Sequence, residues 1–149
     1  MNKLFAIILL LSSFLFYTAQ AEDIIAGQVW EYKTRPQESD SKLTVLRVDK
    51  NENFTIISVS LDGLKIQNPY SSTGYGNEIG HIPITKEMFL KSTTKLVGAT
   101  VISPSQLDGY QTWLDAYKAN QGGVFTLSIA ECVTVVEESI NQGNVDKVE

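Results

Sequence analysis

The part of the sequence that says most about the fold is residues 42–66, which read KLTVLRVDKNENFTIISVSLDGLKI. A run rich in valine and leucine, residues 42–50, ends in a polar cluster at residues 49–53, and an isoleucine-rich run follows at residues 54–61. Runs of β-branched residues bounded by turn-forming residues are typical of strands. The segment therefore predicts two antiparallel strands joined by a tight connection.

A second turn is predicted at Asp62-Gly63, between two alternating apolar segments. Asp-Gly favours a two-residue hairpin because it tolerates positive φ at both turn positions. Such a hairpin would set Leu61 opposite Leu64 and keep one apolar face continuous. Residues 28–33, which read QVWEYK, alternate in the same way and predict a further strand. Together these segments predict an antiparallel meander of three or four strands.

The segment after the meander predicts one more strand and a short helix. Residues 79–84, which read IGHIPI, alternate, but Pro83 has no amide hydrogen to donate, so this strand should end there or lie at a sheet edge. Thr85 is suited to cap a helix at residues 86–91. Residues 95–102 fit either a last strand or an irregular connection, and the pattern leaves both open.

Two helices are predicted near the C-terminus. Residues 103–106 (SPSQ) and 128–131 (SIAE) both fit the capping box, in which a serine precedes a glutamine or glutamate by three positions. Apolar residues follow each box at helical spacing, so we expect helices at about 104–119 and 128–141. Strands first and helices afterwards favour an α+β fold, an antiparallel sheet from residues 28–84 packed against two C-terminal helices.

Residues 1–21 have the features of a cleaved export signal. A single lysine precedes the uncharged apolar stretch of residues 4–17, and Ala19-Gln20-Ala21 fits a signal-peptidase site. The apolar stretch is shorter than the roughly 20 residues that a membrane-spanning helix needs. We therefore expect cleavage after Ala21, a periplasmic or secreted protein with no remaining membrane anchor, and a single domain at residues 22–149.

Composition and charge exclude several classes of function. The chain has 149 residues and a formal net charge of −5, which becomes −6 without residues 1–21 because these carry one lysine and no acidic residue. Nucleic-acid binding needs a basic face, so we expect no nucleic-acid partner. One cysteine excludes a disulfide scaffold or a cysteine-rich zinc module, and one histidine excludes a two-histidine metal site. We expect neither a metal ion nor a cofactor, since Gly74-Tyr75-Gly76 also lacks the third glycine of a phosphate-binding loop.

Catalytic signals are few. No Gly-x-Ser-x-Gly nucleophile motif occurs, and the acidic pair Glu137-Glu138 is expected to face solvent from a helix. His81 is a candidate general base because imidazole titrates near neutrality, with Cys132 as a candidate nucleophile beside it. The alternative is a strand histidine held by a hydrogen bond and a buried, inert cysteine whose neighbour Glu131 disfavours the thiolate.

Two groups of aromatic residues are candidates for binding. Trp30 fits a core position, whereas Tyr32 needs a partner for its hydroxyl and Arg35 follows closely. Tyr70 and Tyr75 lie in a long uncharged loop, and large amphipathic rings on loops are typical of binding surfaces. A loop packed on its own tyrosines is the alternative. The candidate binding residues are Tyr70, Tyr75, Tyr32, Arg35 and His81.

Several short segments resemble sequences from a group of small uncharacterised bacterial proteins. They are GQVWEYKTRP at 27–36, DGLKI at 62–66, GHIP at 80–83, GYQTW at 109–113 and GVF at 123–125. The resemblance spans most of residues 27–142. It implies one compact domain behind an export signal and supplies no activity and no catalytic residue.

These observations favour a non-enzymatic, exported binding protein of the cell envelope, such as an inhibitor or immunity protein for a secreted enzyme or toxin. A surface with a net charge of −6 can steer association towards a basic protein partner. Two alternatives stay open. One is a small hydrolase-like enzyme that uses His81, and the other is an envelope protein that binds a small apolar ligand between sheet and helices.

Overall fold

The computed structural model describes residues 23–143, and the predicted export signal lies outside the described residues. Within this range the chain forms seven strands, β1 (Gln28–Tyr32), β2 (Lys42–Lys50), β3 (Thr55–Asp62), β4 (Ile66–Gln67), β5 (Tyr75–Gly76), β6 (Ile79–Thr85) and β7 (Thr93–Ala99). Its three α-helices are α1 (Lys86–Ser92), α2 (Asp108–Lys118) and α3 (Ile129–Gln142). No helix of these residues combines the length and apolar character needed to cross a membrane.

Five strands form one antiparallel sheet in the order β6-β3-β2-β1-β7. The meander β1-β2-β3 confirms the prediction from residues 42–61, with Leu43 opposite Leu61 and Val45 opposite Val59. The α+β fold is also confirmed, and β6 lies at an edge as its proline predicts. Of the ambiguous residues 95–102, residues 95–99 belong to β7, which forms the opposite edge of the sheet, and residues 100–102 form an irregular connection.

The two-residue hairpin predicted at Asp62-Gly63 is wrong. Gly63 does have a positive φ of 67°, but Asp62 does not. Strand β3 already pairs with β2 on one side and with β6 on the other, so neither of its edges is open to the residues that follow Gly63. Those residues turn away instead, and β4 pairs with β5 in a separate two-stranded hairpin.

One face of the sheet forms the main core. The buried side chains Val45, Val59 and Ile82 project from it towards α1 and α3. Phe89 of α1 and Ile129 of α3 are fully buried against them. The helix α3 confirms its predicted capping box, since the Ser128 amide donates to the Glu131 carboxylate at 2.8 Å and the Glu131 amide donates to the Ser128 hydroxyl at 3.3 Å.

The opposite face of the sheet is partly covered by α2, which packs on β6. A turn of 3-10 helix at Pro104–Leu107 precedes α2, and the Gln106 side chain accepts the Ser103 amide hydrogen at 2.8 Å, as the capping pattern predicts. A Cβ placed on Gly109 would lie 2.9 Å from Cβ of His81. The glycine therefore allows α2 to approach β6 closely enough to cover His81.

Candidate functional site

The structure separates the five predicted binding residues into three places. Tyr70 and Tyr75 belong to the β4–β5 hairpin. Arg35 lies in the segment after β1 and reaches towards this hairpin, while Tyr32 ends β1 in the core. His81 lies on the other face of the sheet, beneath α2. The hairpin and Arg35 therefore form one region, which His81 does not join.

The loop of the β4–β5 hairpin is fixed by its own hydrogen bonds. The Asn68 amide donates to the Gly74 carbonyl at 2.9 Å, and the Gly74 amide donates to the Ser71 carbonyl at 3.0 Å. The Asn68 side chain accepts the Tyr70 amide hydrogen at 3.0 Å. Tyr70 and Tyr75 are each 56% exposed, so more than half of the surface of each residue is open to solvent.

Arg35 sits between two carboxylates. Its Nε and Nη2 donate to the two oxygens of Glu38 at 2.9 and 2.6 Å, and its Nη1 donates to Oε2 of Glu137 at 2.5 Å. The Glu38 side chain is fully buried. Burial opposes its ionisation, but hydrogen bonds from Arg35 and from the Lys65 amide prevail and lower the pKa of Glu38. Hydrogen bonding to Glu38 in turn raises the pKa of Arg35.

This Arg35–Glu38–Glu137 cluster, the ionic cluster, fastens the hairpin to α3. Glu38 accepts the Lys65 amide hydrogen at 2.8 Å, and Glu137 accepts the Gln67 amide hydrogen at 2.6 Å. Side chains therefore satisfy backbone donors along the outer edge of β4, where no further strand lies. The expectation that Glu137 faces solvent is wrong, because its side chain is only 20% exposed and both oxygens are hydrogen-bonded.

A cleft of about 460 Å³ opens beside the ionic cluster, between the hairpin, α3 and the turn after β1. Its lining residues are Gln37, Lys65, Gln67, Tyr75 and Glu137. We refer to Tyr70, Tyr75 and this cleft as the hairpin surface. The surface combines exposed aromatic rings with amide and charged groups on a backbone that the cluster holds in place.

Tyr32 is not part of this surface. It is 6% exposed, and its hydroxyl lies 2.7 Å from Oγ of Ser41, which supplies the hydrogen-bonding partner that a buried tyrosine needs. Burial raises the pKa of Tyr32 above its ordinary value. The ring therefore belongs to the core and contributes nothing to the hairpin surface. Trp30 packs against the same core, with its ring 5.7 Å from that of Phe89.

His81 packs among aromatic rings. Its Nε2 lies 3.0 Å from Oγ of Ser58, and its ring centroid lies 6.0 Å from that of Tyr110 and 5.4 Å from that of Trp113. Burial lowers the pKa of His81 to about 4, so the imidazole is neutral at neutral pH. This arrangement matches the alternative of a strand histidine held by a hydrogen bond.

Cys132 lies on the opposite side of the sheet from His81. It is fully buried in the main core, and burial raises the pKa of the thiol to about 12. The prediction of a buried cysteine is confirmed, and the sheet separates its thiol from His81. Among residues 23–143, no group of three histidine, cysteine or acidic side chains is arranged to hold a metal ion.

Two features of this region were missed in the sequence. The first feature is the ionic cluster. Arg35 and Glu38 lie three positions apart, a spacing that could have indicated a local pair, but Glu137 lies 102 residues after Arg35. The second feature is a row of aromatic side chains on α2, on the other face of the sheet. Trp113 and Tyr117 stack with centroids 5.0 Å apart, and the recurrence of aromatic residues along α2 could have signalled this row.

Comparison of the chain with protein-family models, with curated proteins and with solved structures gives no significant match. The likeness of five short segments to small bacterial proteins therefore supplies no role for any residue. Function is inferred from the geometry of the hairpin surface and of the opposite sheet face.

Proposed function

We propose that the protein is an exported, non-enzymatic binding protein of the cell envelope that holds a protein partner through the hairpin surface. The observation that carries this proposal is the exposure of Tyr70 and Tyr75, 56% each, on a loop that its own hydrogen bonds fix. Exposed tyrosines are common energetic anchors of protein interfaces.

The fixed backbone beneath the tyrosines supports this proposal. Ordering a flexible loop during binding costs free energy, and a loop that is already ordered avoids this cost. The ionic cluster fastens β4 to α3, so the cleft beside Tyr75 exists before any partner arrives. Tyrosine also has few rotatable bonds, which keeps the entropy cost of immobilising it low.

The charge of the chain favours a basic partner. The net charge without residues 1–21 is −6, and opposite charge speeds the encounter between proteins. Within the hairpin surface, Arg35 offsets the charge of only one of the two carboxylates of the ionic cluster, and Lys65, which lines the cleft, offsets the other. The attraction therefore arises from the whole protein, and contacts at the tyrosines provide specificity. An inhibitor or immunity protein for a secreted enzyme or toxin fits this description.

The proposal is tested by capturing the partner from the envelope of the producing organism. The bait is the purified protein, and the test variant is Tyr70→Ala/Tyr75→Ala. Leu90→Ala is the matched control, because Leu90 is also largely exposed, at 54%, but lies on α1. We expect one protein to be captured by the wild type and by the control and to be lost with the double variant. Equal capture by all three overturns the hairpin surface as the binding site.

A further inference from the structure

An apolar cleft of about 330 Å³ lies at the β6 edge of the sheet and shares no lining residue with the cleft of the hairpin surface. Its lining residues are Pro83, Trp113, Gly123, Val124 and Phe125. We refer to it as the edge cleft. Every lining side chain is apolar, and the volume is within the range of roughly 300–1,000 Å³ that is usual for small-molecule sites.

The walls of the edge cleft are fixed by hydrogen bonds. The Phe125 amide donates to the Pro83 carbonyl at 2.8 Å, and the Thr85 amide donates to the Phe125 carbonyl at 3.1 Å. These bonds hold the segment around Phe125 alongside β6. Nε1 of Trp113 donates to the Gly123 carbonyl at 2.8 Å, which fixes the indole ring across the cleft from β6. The cleft is therefore formed before a ligand enters it.

The same bonds define the chemistry of a ligand. Two polar groups at the rim, the Trp113 ring N–H and the Phe125 amide, already donate to carbonyls of the protein itself. A sugar or a nucleotide would lose water from many polar groups and could not use these two donors in exchange, and this loss is unfavourable. An apolar molecule gains free energy by leaving water. Aromatic rings and a proline ring favour a flat ligand through edge and offset contacts.

We propose that the edge cleft binds a small uncharged aromatic molecule. This site is independent of the hairpin surface, so either assignment can fail without the other. It is a specific form of the apolar ligand site expected between sheet and helices, since Pro83 of β6 and Trp113 of α2 line it. The interface of the sheet with α1 and α3 is filled by fully buried side chains such as Phe89 and Ile129.

The test uses the two tryptophans of the chain as reporters. Each gives one indole N–H signal in a ¹H–¹⁵N spectrum, and Trp30→Phe assigns them. Purified protein is titrated with toluene, with indole and, as a polar control, with glucose. We expect saturable shifts of the Trp113 signal with toluene and indole, with a Kd on the order of 1 mM or below. The Trp30 signal should not move, and glucose should have no effect.

The variant Gly123→Leu is designed to fill the edge cleft, because a Cβ at this position meets no atom within 4 Å. Gly98→Leu is the matched control, since a Cβ at Gly98 in β7 also meets nothing within that distance. We expect Gly123→Leu to weaken binding about ten-fold or more and Gly98→Leu to leave it unchanged. Absence of a saturable Trp113 shift, equal binding by Gly123→Leu in a folded protein, or an equal response to glucose overturns the proposal.

Discussion

Arg35 shows how one side chain can join segments that are far apart in sequence. It pairs with Glu38, three residues away, and with Glu137 on α3. Both carboxylates also accept backbone amide hydrogens from the β4 segment. A charge pair that is removed from water is costly to break, because the remaining partner stays buried without compensation. The cluster is therefore the part of the hairpin region most sensitive to substitution.

Substitution of Glu38 tests the ionic cluster. We expect Glu38→Ala to lower the free energy of unfolding by about 3 kcal/mol or more, as breaking a buried pair does. Urea denaturation measures this value, and Glu138→Ala on the exposed side of α3 should change it by no more than about 0.5 kcal/mol. A loss from Glu38→Ala no larger than that of the control contradicts the assigned role.

The same cluster gives stability a defined pH dependence. The pKa of Glu38 is lower in the folded protein than its ordinary value, so the unfolded chain binds more protons. The contribution of Glu38 is thus complete above the ordinary glutamate pKa and is lost as the pH falls through the folded value. Urea denaturation of the wild type and of Glu38→Ala should therefore converge as the pH falls below about 4.

His81 makes the stability of the protein depend on pH in a different range. Burial lowers its pKa from 6.5 to about 4, so the neutral ring is favoured by folding. The contribution of the neutral His81 ring to the free energy of unfolding is complete above pH 6.5 and is lost as the pH falls from there towards 4. We expect wild-type stability in urea to decrease from pH 7 to pH 5, and His81→Asn to show a flatter dependence. Since the chain has one histidine, parallel curves for both proteins would refute this assignment.

At the level of elements, local sequence signals were reliable wherever the element depends on nearby residues. The capping boxes before α2 and α3 and the turn at residues 51–53 are formed within a few positions, and the sequence predicts all of them. The Asp62-Gly63 hairpin failed because pairing is a competition between distant segments. Strand β6, which follows in sequence, takes the edge of β3 that the hairpin would have used.

The packing of α2 on β6 at Gly109 also depends on a contact between distant parts of the sequence. Alanine in place of a helical glycine ordinarily stabilises by up to about 1 kcal/mol. Here the added Cβ would lie 2.9 Å from Cβ of His81, so α2 would have to shift from β6. We expect Gly109→Ala to destabilise the protein by about 1–3 kcal/mol in thermal or urea unfolding. The exposed Thr112→Ala on the same helix is the control, and a stabilised Gly109→Ala would contradict this packing.

For the whole molecule, the sequence predicts the α+β class but neither the order of the strands nor the use of the two sheet faces. The position of β7 beside β1 and the separation of His81 from Cys132 by the sheet both arise from long-range pairing. The exposed tyrosines were predicted as a binding surface from their loop alone. The ionic cluster that supports them could not be predicted, because Glu137 is distant in sequence and the face of the helix that carries it is set by packing.

The proposed function requires that Tyr70 and Tyr75 bind a protein partner from a hairpin that the ionic cluster holds in place. Titration calorimetry with the captured partner measures this binding, using wild type, Tyr70→Ala/Tyr75→Ala, Glu137→Gln and the control Leu90→Ala. We predict that the Kd rises about ten-fold or more for the tyrosine variant and less for Glu137→Gln, with no change for the control. A Kd for the tyrosine variant within about two-fold of the wild-type value would contradict the claim.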